Sequence, residues 1–165
     1  MCDFMNQVYL QLGSNLGDRK QFLEIANDFI SRELGVIKKY SKIYESSPWG
    51  VDSQVFFLNQ VILLVTNQNP HELLRSILAI EKEIGRVRLE KWGERVIDID
   101  ILFYNDEIIE TIDLCIPHKY LSKRKFVLLP LYEIAEELNH PKLNKTIAKL
   151  LDECIDVEKV VVYES

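Results

Sequence analysis

The sequence predicts an α+β domain in which an antiparallel sheet carries helices on one face, with further helices and a strand towards the C-terminal end. Three observations lead there. Two stretches of helical periodicity each open on a capping residue and close on a glycine. Four other stretches alternate apolar residues with a period of two, or are rich in β-branched and aromatic side chains. In chain order these give β-α-β-β-α-β, the split βαβ or ferredoxin-like arrangement.

The first strand is QVYLQLG (7–13), with Val8, Leu10 and Leu12 on one face. Asp18 is placed as the N-cap of the first helix, with Gln21 as its capping-box partner. Phe22, Ile25, Ala26, Phe29, Ile30 and Leu34 then recur at helical spacing up to Gly35. Residues 36–44 make the second strand and FFLNQVILLVT (56–66) the third, with the turn chemistry of SSPWGVDS between them. Asn69 and Pro70 open the second helix, and Glu72 occupies its third position. Its apolar stripe is Leu74, Ile77, Leu78 and Ile84, ahead of Gly85. Glu81 falls inside that stripe, and a carboxylate aimed inward requires a partner.

The fourth strand lies in RVIDIDILFY (95–104), where Ile97, Ile99, Ile101 and Phe103 alternate onto one face. Asp98 and Asp100 share the other face with Leu102 and Tyr104. A further strand is expected over residues 107–112, short helices over 126–135 and 146–154, and a last strand over 157–163. With no internal repeat or linker composition, residues 1–165 read as a single domain.

Composition narrows the function classes. A net charge of −6 argues against nucleic acid as a partner. No apolar run approaches the ~20 residues needed to span a bilayer, and MCDFMNQVYL lacks the basic and apolar regions of a signal peptide. A cytoplasmic location, away from membranes, is the expectation. Cys2, Cys115 and Cys154 are scattered, as are His71, His118 and His140, which speaks against a disulfide framework or a transition-metal site. Against the acidic background stand two small basic clusters: Arg86, Arg88, Lys91 and Arg95, then Lys119, Lys123, Arg124 and Lys125. They point to a compact anionic ligand.

The chemistry centres on Asp98 and Asp100. Carboxylates two residues apart on one strand face stand roughly 6.6–7 Å apart at the backbone. They can converge on two divalent ions roughly 3.5–4 Å apart. Like charges repel, so the pair needs cations: Arg86, Arg88 or Arg95, which would be structural, or metal ions, which would be chemical. The preceding loop, GRVRLEKWGER, sets four cations and Trp92 between glycines. Arginine forks grip phosphate oxygens in two places at once, and such a loop can close over a nucleoside triphosphate. LGSNLGD (12–18) is no Walker A motif, since the lysine and the spacing are missing. With 84 positions between Ser14 and Asp98, it does not fit a polymerase-β-like nucleotidyltransferase either.

Together LGSNLGD, SSPWG, FLNQV, GRVRxxKWGxRxxDxDIL and PH…RxFVLxPL resemble the 6-hydroxymethyl-7,8-dihydropterin pyrophosphokinases of folate biosynthesis, over residues 8 to about 138. The resemblance implies transfer of the terminal pyrophosphate of ATP to the pterin hydroxymethyl group, with release of AMP. It implies two magnesium ions on Asp98 and Asp100, with ATP as co-substrate and Arg86 and Arg95 stabilising charge during transfer. ATP contacts would come from Glu81, Arg88, Lys91, Ile101, Cys115, His118, Lys119 and Arg124. A buried salt bridge is an equal reading of Glu81. Phe57 and Phe126 would sandwich the pterin ring, Asn59 would read its polar edge, and Ser46, Ser47, Pro48, Trp49 and Trp92 would complete the pocket. Lys91, Glu94, Ser47 and Phe57 depart from the commonest residues of the pattern without removing a group the chemistry needs. The expected partners are the two small-molecule substrates, and the expected state is a monomer. A magnesium nucleotidyltransferase and a non-catalytic metabolite-binding module are the alternatives.

Overall fold

A computed structural model describes residues 5–48, 55–85 and 95–164. Strand β1 (Asn6–Ser14) lies inside the sheet, as its burial on both faces requires. It pairs antiparallel with β4 (Phe57–Thr66) on one side and β5 (Asp98–Tyr104) on the other. Beyond β4 lie β3 (Tyr44–Ser46) and the C-terminal β10 (Val160–Val162), in the order β10-β3-β4-β1-β5, and β2 (Val36–Tyr40) also pairs with β4. The expected strand over 36–44 is thus two strands. The break falls at buried Ser41, whose hydroxyl accepts the Val61 N–H at 3.0 Å in place of a ladder carbonyl.

Helix α1 (Arg19–Glu33) begins where Asp18 accepts the Gln21 N–H at 3.0 Å. Helix α2 (Pro70–Ile84) opens on a reciprocal capping box between Asn69 and Glu72, and Gly85 closes it at φ 110°. The buried stripe of α2 is Leu73, Ile77, Ile80 and Glu81, rotated from the expected one so that Leu78 is exposed. Both helices cover the sheet face that carries Val8, Leu10, Leu12, Ile99 and Ile101. The later helices, α3 (Lys125–Ala135) and α4 (Ile147–Asp152), pack on the opposite face against Tyr9, Leu63 and Phe103. The result is an α+β architecture with an antiparallel sheet between two helical layers. The remaining strands are short pairs: β6 (Ile109–Glu110) with β7 (Cys115–Ile116), and β8 (Asn139–His140) with β9 (Lys145–Thr146). The strand expected over 107–112 shrinks to β6 because Ile108 and Ile112 find nothing to pack on and stay exposed.

One irregularity matters for function. Tyr9 pairs with Phe103 but Leu10 pairs with Ile101, so Leu102 is an extra residue on β5. This bulge exchanges the faces of the two residues after it. Tyr104 joins the α1/α2 side and Phe103 the α3/α4 side, the reverse of strict alternation. Helices α3 and α4 cover only the Tyr9–Leu63–Phe103 end of their face, and the other end forms a cavity.

Candidate active site

Cross-strand register assembles the cavity floor. Gly13 pairs with Asn59 on β4 and with Asp98 on β5, while Gln11 pairs with Asp100. Directly opposed residues share a face, so Asp98, Gly13 and Asn59 form one row and Asp100 and Gln11 the next. Two strand spacings, about 9.5 Å, separate the Asp98 and Asn59 backbones. Gly13 leaves that floor clear, since a Cβ there would stand 3.7 Å from Asn59 Oδ1. These residues and Ser46, Ser47, Phe57, Arg95, Arg124 and Phe126 line a cavity of about 90 Å³.

One end of the cavity is aromatic and amide-bearing. Gln11 Nε2 donates to Asn59 Oδ1 at 3.2 Å, and Asn59 Nδ2 donates to Ser46 Oγ at 2.8 Å. All three side chains are buried, and Gln11 Oε1 is a buried acceptor without a protein donor among the described residues. Polar groups in such a place are normally satisfied, so this relay has an acceptor to offer a ligand that donates a hydrogen bond.

The other end is charged. Arg95 Nη1 lies 2.5 Å from Asp98 Oδ2. The Arg95 backbone is clamped by Asn15, whose side chain accepts its N–H at 2.6 Å and whose own N–H donates to its carbonyl at 3.1 Å. The β5 bulge has a direct consequence here: the Leu102 carbonyl accepts the His118 N–H at 3.0 Å, which sets His118 Nε2 4.0 Å from Asp100 Oδ2. Burial first, and the Arg124 charge second, push the His118 imidazole down to about 4. The ring is therefore neutral near pH 7. Because its Nδ1 accepts from the Tyr120 N–H at 3.3 Å, its proton sits on Nε2, facing Asp100. Arg124 stacks over Tyr120 and Phe126 at 4.9 and 5.7 Å. Burial lowers its pKa while Asp100 and Asp98 oppose the shift, and an arginine so placed keeps its charge.

The arrangement combines an aromatic pocket, two carboxylates and a set of cations, which suits transfer of a phosphate-containing group to a flat heterocycle. The sequence profile of the 7,8-dihydro-6-hydroxymethylpterin-pyrophosphokinase family matches residues 9–136. The chain belongs to this family. It is 45% identical over 149 residues to the 2-amino-4-hydroxy-6-hydroxymethyldihydropteridine pyrophosphokinase of Aquifex aeolicus, covering 90% of this chain and 92% of that protein. The Bacillus subtilis protein of the same name is 43% identical, covering 81% and 80% respectively. Among solved structures, a wild-type Plasmodium falciparum HPPK-DHPS chain with pteroate superposes with a TM-score of 0.77 at 23% identity. That match spans 90% of this chain and 42% of the longer Plasmodium one, and it concerns the fold.

In this pyrophosphokinase-family chain the cavity gathers Ser46, Ser47, Phe57, Asn59, Arg95, Asp98, Asp100, Arg124 and Phe126. Pro48 is buried beside them in sequence. Cys115, His118 and Lys119 line a second hollow of about 410 Å³, which His118 joins to the first by facing Asp100. Ile101 points into the α1/α2 core, so the groups it can offer a nucleotide are those of its backbone. Glu81 lies on that same side, where its Oε1 accepts the Ile99 N–H at 2.7 Å. Trp49, Arg86, Arg88, Lys91 and Trp92 lie outside the described residues. Sequence reasoning missed Gln11 and Asn15. Gln11 carried a signal, as an amide in the middle of an apolar strand. Asn15 lies in the LGSNLGD motif, but nothing local named its partner, which is 80 positions away.

Proposed function

We infer that this chain transfers the terminal pyrophosphate of ATP to the hydroxymethyl group of 6-hydroxymethyl-7,8-dihydropterin, releasing AMP, in folate biosynthesis. The observation that carries the reading is the single cavity floor with Asn59 and Phe57 at one end and Asp98 and Asp100 at the other, open between them at Gly13. Phe57 and Phe126 hold the pterin ring and the Gln11–Asn59–Ser46 relay reads its polar edge. The hydroxymethyl group then extends over Gly13 towards Asp98. Its oxygen attacks the β-phosphorus, the bond from that phosphorus to the α-bridging oxygen breaks, and the electron pair leaves on AMP. In this reading Asp98 takes the hydroxyl proton.

Arg95 and Arg124 balance phosphate charge at the cavity, while Cys115, His118 and Lys119 receive the nucleotide side in the second hollow. The neutral His118 donates one hydrogen bond from Nε2 without adding a like charge to the arginines. Ile101, Arg86, Arg88 and Lys91 complete the nucleotide contacts in this reading, Glu81 seats that side of the site by holding the Ile99 N–H, and Pro48, Trp49 and Trp92 complete the pterin pocket.

Asp98 and Asp100 fit magnesium, being hard carboxylate donors on one face that leave room for phosphate and water oxygens. Among the described residues no group of three or more His, Cys, Asp and Glu gathers as a metal site, and magnesium commonly binds through one or two carboxylates plus substrate phosphates. Two such ions, when bound, would neutralise the triphosphate. The sheet order β5-β1-β4 followed by β2 and β3, with α1 and α2 on one face, supports a ferredoxin-like topology for residues 6–104. We further propose a cytoplasmic monomer whose partners are its two small substrates, without nucleic acid or membrane. Among the described residues no helix is long and apolar enough to cross a bilayer.

The test is to incubate the protein with ATP, magnesium and the pterin and identify the nucleotide formed. AMP that appears only with pterin present is the expected result. ADP would indicate an ordinary kinase, and free pyrophosphate a nucleotidyltransferase. Either would overturn the reading.

A further inference from the structure

We propose that the C-terminal segment 156–162 is a strap that fixes both walls of the pterin pocket, with Asp156 and Glu158 as positioning residues. The inference rests on the reading of the cavity as the pterin site. On one wall, Asp156 Oδ2 accepts the Lys125 N–H at 2.9 Å. That amide belongs to the first turn of α3, which Arg124 leaves without a side-chain cap, and Lys125 stands between the pocket residues Arg124 and Phe126. A carboxylate at a helix N-terminus is favoured by the helix dipole as well as by the hydrogen bond. On the opposite wall, the Glu158 carboxylate accepts the Ser47 hydroxyl, and the Ser47 N–H donates to the Lys159 carbonyl at 3.3 Å. The two anchors are themselves joined, since the Glu158 N–H donates to Asp156 Oδ1 at 3.0 Å. Strand β10 continues the attachment by pairing Val160 with Ser46.

The burial pattern of the strap argues against simple packing. Asp156 and Glu158 are half-buried while Ile155 and Val157 are 94% and 93% exposed. A strand held by the hydrophobic effect would show the opposite alternation. Ahead of the β10 ladder the segment is attached chiefly through its carboxylates, and both reach residues that adjoin or line the pocket. It also lies beyond residues 9–136, the span the family profile matches.

The test compares Glu158→Ala, Glu158→Gln, Asp156→Ala and Asn59→Ala with the unaltered protein. Affinity for 6-hydroxymethyl-7,8-dihydropterin is measured by calorimetry with magnesium and a non-hydrolysable ATP analogue, alongside affinity for the analogue alone and Tm. Glu158→Ala and Asp156→Ala are each expected to weaken pterin binding about tenfold, about 1.4 kcal/mol. Glu158→Gln, which keeps an acceptor for the Ser47 hydroxyl, restores most of it, and Glu158→Ala leaves the affinity for the analogue unchanged. If Asn59→Ala weakens pterin binding but the strap variants do not, the strap is refuted and the pocket reading stands. If Glu158→Ala lowers Tm and both affinities together, its role is general stability and the proposal also fails. If Asn59→Ala itself leaves pterin affinity intact, the pocket reading fails and takes the strap with it.

Discussion

Replacing Glu81 by leucine separates two roles that a buried carboxylate on α2 could have. Glu81 is 2% exposed and accepts the Ile99 N–H at 2.7 Å, and Ile99 stands between Asp98 and Asp100. Hydrogen bonds to charged groups contribute about 1.5–3 kcal/mol, and a buried amide left bare costs about 1–3 kcal/mol. The leucine recovers part of this by burying apolar surface, so a net loss of about 2 kcal/mol is expected. For a chain of this size that is a fall in Tm of roughly 4–8 °C. Glu81→Gln retains an acceptor oxygen and should lose about half as much. Turnover should fall with Tm, because a loosened β5 backbone moves both aspartates, while ATP affinity changes little. The assay is thermal unfolding of the three proteins beside titration with an ATP analogue. An unchanged Tm with ATP affinity reduced tenfold or more would refute the argument and make Glu81 a direct nucleotide contact.

Asp100→Ala should lower turnover about a hundredfold or more, with circular dichroism and Tm close to the unaltered protein. A variant that kept full turnover would remove Asp100 from the reaction. Arg95→Ala should lower turnover to a similar degree, with a modest fall in Tm, since the Arg95–Asp98 pair is part-buried and a hydrogen bond to a charged group contributes about 1.5–3 kcal/mol; a fall in Tm with turnover retained would show the pair to be structural instead. Gly13→Val should fold, because neighbours stand at ordinary van der Waals distance from a Cβ, yet pterin affinity measured by fluorescence should fall as the side chain fills the floor between Asn59 and Asp98. Stability should also depend on pH. The His118 and His140 imidazoles are both held below their usual value, chiefly by burial. The unfolded chain therefore takes up protons first as pH falls below about 6.5, and for His118 stability declines from there towards about 4, by up to about 1.4 kcal/mol per pH unit, with His140 contributing in the same direction. Urea unfolding at several pH values should show His118→Gln with a shallower decline, and an unchanged slope would mean that His118 titrates normally.

Much of this architecture is legible in the sequence, because the signals that set it are local. The Asn69–Pro70 start with Glu72 at the third position, the Asp18 cap and the Gly85 terminus are decided within a few residues, and all three are present. The reciprocal capping box is formed by Asn69 and Glu72, whereas at Asp18 the bond is the one from the Gln21 N–H. The Asp98–Asp100 face follows from period-2 alternation and holds up to Ile101. Leu102 still lies on the expected face, but alternation fails at Phe103, just past the bulge, and the reason is physical. Leu102, Phe103 and Tyr104 are buried between two helical layers, so no polar residue marks which face is which. The same cause hides the break at Ser41, a single serine in a strand-like run whose hydroxyl finds the Val61 amide 20 positions away.

The parts that the sequence does not disclose are the connections that tune the site, and they share one property. Gln11 meets Asn59 at a separation of 48 residues, Arg95 meets Asn15 at 80, and Ser47 meets Glu158 at 111. Each is a single polar side chain whose partner is chosen by register and topology, so no local pattern can announce it. The bulge shows how much then follows from one such choice. By freeing the Leu102 carbonyl for the His118 amide, it brings a neutral imidazole to Asp100 and joins the cavity to the second hollow. A strictly alternating β5 would keep both aspartates but would turn Phe103 away from the α3 side that it packs against, taking with it the support under that end of the site. The acidic pair and the cations around it are thus one structure, built by a strand that departs from its own period.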